Sequence, residues 1–578
     1  MSEAHALQSQ APVDLNHSAY GVTYSIGTSD PDLSSSELDF DGTSWEDDFD
    51  GIWEAERHPR ELMAIPLGRS RNATADAKKQ QIPDALRYPV CPGVRGRVRL
   101  TVGMDTVGTV WKGWGTSLAW SGRYISGLPR RRREFLLDLL FHARKGLGLT
   151  IARYTVPGGY DRRYSPRLAQ RDVFRGYSDA RGRYNWTGDW RQVYALRGAK
   201  QRGVEVFDAV CSSPPWWMTK SRDTAGNADG RPNINPDYYD DYAEYIARVL
   251  WHLQNDLDIK FYSVAPFNEP LEPWWRKGGV REGCAMSEGD VVQVLGKLRP
   301  RLQQYGLDDI FVAGVDSWPS QTLLAMSRVF AQNSDKWEQL NVHGYRSPAR
   351  MTPGRDERQF NAIRDAARRL GKPLWQTEWG PVNVRGSEMQ IACLMARTII
   401  QHVNLMGVEA WYHWLALQQP NPSGWGLIWQ GFSYREPFRP VVTKQFWAML
   451  HFTRWMPPGS LPILVRSECQ HTVLAVYSPV KHTLAVTVVN QEKRARNLAV
   501  QISGYHLLVP QRRTRLLIFR TSSKESYRMR YRAAWPGRRV TGVYNVTAIR
   551  DSVTTFVWDN VAAGDDYTSG TKPSWQIY

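Results

Sequence analysis

From about Trp111 onward, short apolar runs alternate with longer amphipathic segments, and this alternation constrains the fold more than any other feature of the chain. In the longer segments apolar residues recur at helical spacing, which predicts helices at 134–145, 238–254, 289–304, 321–332, 357–370 and 388–404. The short runs predict eight strands, at 111–117, 149–154, 204–210, 260–266, 310–315, 340–343, 373–378 and 408–414. Eight strands separated by helices are typical of an α/β protein with a (β/α)8 TIM barrel.

A doubly wound open sheet is the alternative for the same alternation. Such a sheet normally carries a Gly-rich phosphate-binding loop after its first strand. The segment Gly113-Trp114-Gly115 lacks the spacing of that loop, so we favour the barrel.

Beyond Pro458-Gly459 the pattern changes to short β-branched runs separated by turns, with no long helical segment between them. This pattern predicts an associated antiparallel β-sandwich domain. Val98, Leu100 and Val102 alternate with polar residues before the barrel, so we expect segment 96–104 to supply a strand to the sandwich.

The predicted organisation follows from these patterns. Segment 30–56 is rich in Asp, Glu, Ser and Gly and has no Lys or Arg, so it buries too little apolar surface to offset the entropy of ordering. We therefore expect a disordered, partly acidic extension at 1–92, a strand segment at 93–106, the catalytic barrel at 107–456 and the sandwich at 457–578.

The formal net charge of +17 is compatible with nucleic acid, an anionic surface or an acidic polysaccharide as partner. No zinc-finger, homeodomain or RNP-like motif accompanies the charge, so we predict no nucleic-acid partner. The arginine run 130–133 precedes an apolar helical pattern and is predicted to form the first turn of a surface helix. The 25 Trp residues suit a groove that stacks on sugar faces, although barrel packing accounts for many of them.

The five cysteines form neither a metal-ligand spacing nor a dense disulfide framework, and Cys211 and Cys393 lie inside apolar elements. We expect no metal or other cofactor. No apolar run reaches the ~20 residues that span a bilayer, and Met1-Ser2-Glu3-Ala4-His5 does not begin a signal-peptide pattern. Asn72-Ala73-Thr74 and Asn185-Trp186-Thr187 are short glycosylation sequons of a kind that often arises by chance.

Two carboxylates follow predicted strands four and seven. Glu269 lies in Asn268-Glu269-Pro270, and Glu378 lies in Thr377-Glu378-Trp379-Gly380. Catalytic groups of barrel enzymes lie at the C-terminal ends of the strands, and glycoside hydrolysis needs two facing carboxylates. Either Glu alone could cap a helix, but together they predict a sugar-cleaving pair.

The neighbours of the two glutamates differ in character. Glu269 lies between Phe267 and Pro270 with Trp274-Trp275 close behind, an apolar setting that suits a general acid. Asn268 beside it is placed to donate a hydrogen bond to the sugar 2-OH. Glu378 must stay ionised and needs a cation or donors nearby. Arg153 at the end of strand two is the predicted cation, and His343 and Tyr345 after strand six are predicted to add hydrogen bonds.

Several further segments, taken in order, extend this pattern. They are Gly113-Trp114-Gly115-Thr116-Ser117-Leu118-Ala119-Trp120, Ser212-Ser213-Pro214-Pro215-Trp216-Trp217-Met218, Trp274-Trp275 with Glu282-Gly283-Cys284, and Asn341-Val342-His343-Gly344-Tyr345. With the two glutamate segments, this order resembles glycoside hydrolase family 30, most closely its fungal endo-β-1,6-galactanase group, from about Val98 to the C-terminal sandwich.

The resemblance implies a retaining mechanism with Glu269 as acid/base and Glu378 as nucleophile. It implies endo-cleavage of β-1,6-galactan in arabinogalactan side chains, and the basic charge favours chains that carry glucuronic acid. To the substrate-binding residues named above we add the tryptophans that flank the motifs: Trp216, Trp217, Trp379 and Trp414. The family is typically secreted although no signal peptide is visible here, and we expect a monomer.

Two alternatives stay open. The first is a hydrolase of the same family that acts on xylan, a β-1,6-glucan or a glucosylceramide. The second is a non-catalytic carbohydrate-binding barrel. One departure also matters: the galactanase group usually has an Asn-containing turn after Arg-Tyr, whereas this chain continues Arg153-Tyr154-Thr155-Val156-Pro157-Gly158-Gly159. A contact with the sugar can therefore differ.

Overall fold

The computed structural model describes residues 88–564, except 172–173, 346–352, 383, 385, 421–423, 436, 510–513 and 535–539. Most of the predicted disordered extension, with its acidic segment, lies outside the described residues. Residues 88–92 are described, and Val90 and Cys91 are buried in the core of the sandwich. The sandwich therefore starts earlier in the chain than the predicted boundary. Within the described range no helix has the length and apolarity needed to cross a membrane.

A closed barrel of eight parallel strands is present, as predicted. The strands are Gly113–Ser117, Ile151–Val156, Val206–Cys211, Phe261–Ala265, Phe311–Ser317, Gln339–His343, Leu374–Glu378 and Ala410–His413. Most of their residues are buried because the barrel interior is filled by side chains and helices cover the outside. Each strand overlaps one of the eight predicted runs. Because the sheet closes on itself, the doubly wound open sheet is excluded.

Helices connect the strands and pack around them. The α-helices are Ala119–Ser126, Arg130–Phe141, Pro166–Arg171, Trp190–Lys200, Tyr239–Asn255, Glu288–Gln304, Pro319–Ala325, Pro353–Arg369, Glu388–Gln401 and Lys444–Thr453. The arginine run does form the first turn of its helix, which begins at Arg130. Two predicted helices contain π-helical turns, at Met326–Phe330 and His402–Met406, and the first of these continues as the 3₁₀ segment Ala331–Lys336.

The sandwich combines a six-stranded sheet with a three-stranded one. In order, the six strands are Leu461–Ile463, Val473–Ser478, Thr483–Asn490, Ser552–Asp559, Arg515–Ser522 and Glu525–Ala534. The three are Val98–Val102, Arg496–Ile502 and Gly542–Ala548. Small two- and three-stranded sheets are formed by Tyr505–Leu507 with Val561–Ala563, and by Leu417–Gln418, Ile428–Trp429 and Val441–Val442.

Segment 96–104 supplies a strand, as predicted, but with an unexpected direction. Val98–Val102 runs parallel to Arg496–Ile502, with Val98 opposite Leu498. No hairpin links the two strands, since the whole barrel lies between them in the chain, and only a hairpin would force an antiparallel pair.

The central strands of the six-stranded sheet, Val473–Ser478, Thr483–Asn490 and Ser552–Asp559, are buried on both faces. One face packs in the sandwich core, and the other packs against the last barrel helices through residues such as Leu474, Phe519 and Val557. From the helix Lys444–Thr453, His451 bonds to the hydroxyls of Thr555 (2.8 Å) and Thr521 (2.9 Å). This double burial explains why these strands read as continuous apolar runs.

One disulfide joins Cys91 to Cys469, which lie 378 residues apart in the sequence. It ties the segment before the barrel to the segment after it, within the sandwich core. Cys211, Cys284 and Cys393 are free and buried. Neither spacing nor composition could have identified the pair, because the partners meet only when the barrel has closed.

Candidate active site

A groove of about 1080 Å³ opens at the C-terminal ends of the barrel strands. Glu269 and Glu378 both line it, so the two predicted carboxylates do converge. The aromatic residues of its walls are Trp120, Phe174, Trp274, Trp275, Trp318, Tyr345, Trp414 and Trp425.

Glu378 is the last residue of the seventh barrel strand and is buried. Its Oε1 accepts a hydrogen bond from Arg153 Nη1 (2.9 Å), and its Oε2 accepts one from the Tyr345 hydroxyl (2.9 Å). Burial raises the pKa of the Glu378 carboxyl, whereas the positive charges of His343 and Arg153 act to lower it. Both oxygens are thus fixed in orientation, and the predicted pairing with Arg153 and Tyr345 is present.

Glu269 follows the fourth barrel strand and has an unusual backbone for a non-glycine residue, with φ of 50°. Its backbone N–H donates to the Asp316 carbonyl (2.8 Å), which holds this conformation. Indole N–H groups donate to its carboxylate, from Trp318 to Oε1 (3.0 Å) and from Trp274 to Oε2 (3.1 Å). His343 Nδ1 lies 2.9 Å from the same Oε1. Left-handed backbone of this kind clusters at functional sites.

His343 lies between the two glutamates. Its Nδ1 contacts Glu269, while its Nε2 lies 3.3 Å from Asp316 Oδ1 and 3.5 Å from Glu378 Oε1. Burial acts to lower the pKa of His343, but the carboxylates of Glu378, Asp316 and Glu269 raise it to about 10. The surrounding carboxylates therefore favour the protonated form of the ring.

A buried ion network supports the floor of the groove. Arg153 is fully buried and pairs with Asp316 Oδ1 (Nη2, 2.6 Å) and Asp208 Oδ2 (Nε, 3.2 Å). Asp316 also accepts hydrogen bonds from Thr377 (2.7 Å) and Asn341 (2.9 Å). Burial acts to raise the pKa of Asp316, but Arg153 and His343 bring it down to about 2. The guanidinium is thus locked in one orientation towards Glu378.

Among the residues that the structure describes, Glu269, His343 and Glu378 form the group that could hold a metal ion, since they offer ligand atoms within 4.8 Å of one another. A metal-binding imidazole must be neutral. The carboxylates around His343 raise the pKa of its ring to about 10, which disfavours the neutral form that a metal requires. The donor set therefore fits proton transfer better than metal binding.

The two carboxylates lie close together, with an oxygen of Glu269 within 4.8 Å of an oxygen of Glu378. Carboxyl groups about 5 Å apart are typical of retaining glycosidases, whereas inverting enzymes separate them by about 6.5–9.5 Å to admit a water.

The other predicted site residues divide into two sets. Asn268, Trp274, Trp275 and Trp414 line the groove. Asn268 Oδ1 is buried without a hydrogen-bond partner in the described structure.

Trp216, Trp217 and Trp379 do not line the groove. Trp216 borders a separate cavity, and Trp217 packs edge-on against Tyr238. Both belong to the 3₁₀ turn Trp216–Met218. Trp379 is buried against Trp411, since a residue that directly follows Glu378 in extended backbone points to the opposite side.

Sequence reasoning missed several residues of the site. Trp318 directly follows the fifth barrel strand, so the strand-end argument used for Glu269 would have found it. Asp316 lies one residue beyond the predicted end of that strand. Trp425 had no signal of its own: its ring lies where Gly380 has no side chain, and a Cβ there would be 2.5 Å from the indole.

The position of His343 leads to a prediction about pH. Replacing it by glutamine removes the positive charge that lowers the pKa of Glu378. We expect the acid limb of the kcat/KM profile to move to higher pH by about one unit or more, because the ionised carboxylate then forms less readily. Thermal unfolding of both proteins controls for damage to the fold. An acid limb that stays in place would contradict this account.

Comparison with known proteins gives consistent results. The sequence profile described as O-glycosyl hydrolase family 30 matches residues 97–426, more than half of the chain. An endo-beta-1,6-galactanase from Hypocrea rufa is 28% identical, over 58% of this chain and 70% of the relative.

Solved structures share the fold at low sequence identity. A conserved exported protein from Bacteroides fragilis aligns with a TM-score of 0.65 and 16% identity, over 80% of this chain and all of the other. The catalytic domain of GH30 xylanase C from Talaromyces cellulolyticus aligns with a TM-score of 0.58 and 18% identity, over 80% of this chain and 99% of the other. At these identities the alignments show the architecture alone.

Proposed function

Because the chain belongs to O-glycosyl hydrolase family 30, we propose that it is a retaining endo-hydrolase of β-1,6-linked galactan. That it is a glycoside hydrolase follows from the family; the linkage, the sugar and the stereochemistry are the proposal. The observation that carries it is the pair of glutamates, within 4.8 Å of each other in a groove walled by tryptophans. The similarity to the galactanase from Hypocrea rufa supports the choice of galactan.

In the proposed first step, Glu378 attacks the anomeric carbon and forms a covalent glycosyl-enzyme. Glu269 gives its proton to the glycosidic oxygen, so that the leaving sugar departs as an alcohol. The indole of Trp274 and the indole of Trp318, which bond to the Glu269 carboxylate, aim it into the groove. The partnerless oxygen of Asn268 is placed to accept a hydrogen bond from a substrate hydroxyl.

In the proposed second step, Glu269 takes a proton from a water molecule, which attacks the anomeric carbon and releases Glu378 as a carboxylate. Arg153 and Tyr345 already bond to the two oxygens of that carboxylate and stabilise it as a leaving group. His343 lies within ion-pair distance of both glutamates, so its protonated ring stabilises negative charge on either carboxylate.

Two other functions compete with this proposal. Another β-glycan remains the main alternative, since the xylanase fold is shared, and Thr155 stands in the groove where the galactanase group usually has an Asn-containing turn. A pure binding protein does not need two facing carboxylates held by a buried arginine, so the site favours catalysis.

The test is incubation with β-1,6-galactan, β-1,6-glucan and glucuronoxylan, with the products resolved by size. We expect a ladder of short oligosaccharides from galactan alone, and the anomer first formed to be β by NMR. A ladder from glucan or xylan alone would overturn the substrate, and an α product would overturn the retaining mechanism.

The groove also carries positive charge that suits an acidic galactan. Arg167, Arg276, Lys277 and Arg281 line it and are exposed. Among the residues that the structure describes, none of these four has a carboxylate within ion-pair distance; Arg167 and Lys277 donate only to backbone carbonyls. Uncompensated cations beside a substrate groove attract anionic substituents.

We therefore expect native, glucuronate-bearing galactan to be cleaved with a lower KM than the same polymer after carboxyl reduction. Arg281→Gln should reduce the preference for the acidic polymer over the reduced one. The expected loss is about 0.2–1 kcal/mol of binding free energy, the range for an exposed charge pair. Arg99→Gln, on an exposed position of the sandwich, is the matched control. Added salt should weaken binding of the acidic polymer more than of the reduced one; equal effects would defeat the idea.

We also infer that the chain works in an oxidising compartment, as a secreted enzyme does. The support is the disulfide Cys91–Cys469, since such bonds persist outside the reducing cytosol. A monomer stays a prediction, for which light scattering in solution is the measurement.

A further inference from the structure

A further cavity, of about 390 Å³, lies on the barrel and shares no lining residue with the catalytic groove. It is formed around the turn that precedes the helix Trp190–Lys200. Asn185, Thr187, Trp190 and Arg191 are among its lining residues. The catalytic mechanism uses none of them.

Asn185 and Thr187 form the sequon Asn185-Trp186-Thr187, and both are exposed. Asn185 Oδ1 accepts hydrogen bonds from the Thr187 hydroxyl (2.7 Å) and the Thr187 N–H (3.1 Å). The described hydrogen bonds leave the amide nitrogen Nδ2 unused. Trp186, between them, stacks on His252 with ring centroids 4.0 Å apart, which anchors the turn to the barrel.

Trp190 supplies the second observation. This tryptophan is 49% exposed, although an indole of this size is usually well buried. It lines the same cavity as Asn185, with the Arg191 guanidinium 5.4 Å from its ring centroid. The cavity therefore offers an acceptor amide and, beside it, an apolar surface of the kind that packs against the face of a sugar.

We propose that Asn185 is an N-glycosylation site and that its first sugar lies in this cavity against Trp190. In the transfer, the bond between the sugar anomeric carbon and a pyrophosphate oxygen of a lipid-linked oligosaccharide breaks. A bond from that carbon to Asn185 Nδ2 forms, Nδ2 gives one proton to a base of the transferase, and the lipid pyrophosphate leaves. This inference does not depend on which glycan the enzyme cleaves.

A second exposed sequon provides a matched comparison. Asn545 lies within the strand Gly542–Ala548, where its Oδ1 accepts from Arg97 (3.3 Å). The hydroxyl of Thr547 donates to Asn497 (2.9 Å) instead of to Asn545. The polar groups of this sequon are thus engaged elsewhere. Two further sequons, at Asn16 and Asn72, lie outside the described residues, so occupancy has to be read site by site.

The test is expression of the full chain through the secretory pathway of a eukaryotic host, followed by enzymatic deglycosylation in heavy-oxygen water and peptide mass mapping. We expect Asn185 to be labelled in most molecules and more fully than Asn545. Thr187→Ala should remove the label at Asn185, and Thr187→Ser should retain it. An unlabelled Asn185 in secreted protein, or labelling that survives Thr187→Ala, would overturn the proposal.

Trp190→Ala tests the placement of the sugar. We expect Asn185 to remain glycosylated in this variant. A deglycosylating enzyme should release the glycan from the folded variant several-fold faster than from the folded parent protein, because the first sugar no longer packs against an indole. An unchanged release rate would overturn the contact with Trp190. Cleavage of β-1,6-galactan by each variant should equal that of the parent protein, since the cavity is separate from the groove.

Discussion

Glu378→Gln is expected to lower kcat by at least about 10⁴-fold, with the fold and glycan binding preserved. Glutamine has nearly the shape of glutamate and can still accept from Arg153, but it carries no negative charge and cannot form the glycosyl-enzyme. Turnover of β-1,6-galactan and binding of galacto-oligosaccharides by calorimetry measure the two properties separately. Turnover close to that of the parent would remove Glu378 from the nucleophile role.

Glu282→Gln is the matched control for this substitution. Glu282 lines the same groove and is buried, and burial raises its pKa well above the usual range. Burial thus disfavours the charged form of this carboxyl, and an amide has nearly the same shape. We expect less than about a tenfold loss of kcat, the size of one neutral hydrogen bond.

Arg153→Met is expected to have the largest effect on stability. It leaves Asp208, Asp316 and Glu378 buried without the cation that pairs with all three. Removing one partner of a buried ion pair costs about 3–5 kcal/mol, because the remaining charges keep their desolvation penalty. The stability of Arg153→Lys should lie between those of the parent protein and Arg153→Met, since a single ammonium cannot bond to three carboxylates at once.

Chemical unfolding at neutral and acidic pH measures this effect. The folded pKa of Asp316 is about 2, below its ordinary value of 3.8, so its contribution to the free energy of unfolding is present above pH 4 and is lost as the pH falls through 2. The variant should lose this acid dependence. Arg183→Met, which breaks an exposed pair with Asp179, controls for the loss of any arginine, and equal destabilisation by both changes would contradict the network.

The barrel and the positions of both glutamates could be predicted because they follow from local periodicity. The spacing of apolar residues that distinguishes strands from helices can be read from consecutive positions. In a closed barrel the C-terminal ends of strands four and seven then face the same groove. Glu269, Glu378, Arg153, His343 and Tyr345 were all identified in this way, and the structure brings them together.

What failed depends on contacts between distant segments. Trp379 adjoins Glu378 in sequence, yet successive side chains of an extended segment point to opposite sides, so proximity in sequence to Glu378 did not place Trp379 in the groove. Trp425 reaches the groove only because Gly380 leaves room for it. The bond between Cys91 and Cys469 and the parallel direction of Val98–Val102 likewise depend on how the closed barrel places its two ends.

The strand Val98–Val102 has a consequence for how the chain is made. Val98 leaves the ribosome 400 residues ahead of its partner Leu498. At roughly 5–20 residues per second this interval is about 20–80 s, in which an apolar strand has an unpaired edge. The sandwich is therefore completed only after the barrel has been synthesised. In a chain truncated after the barrel, the segment Val98–Val102 would never find its partner strand. The barrel and the sandwich are therefore unsuited to separate production, or to being swapped between related proteins.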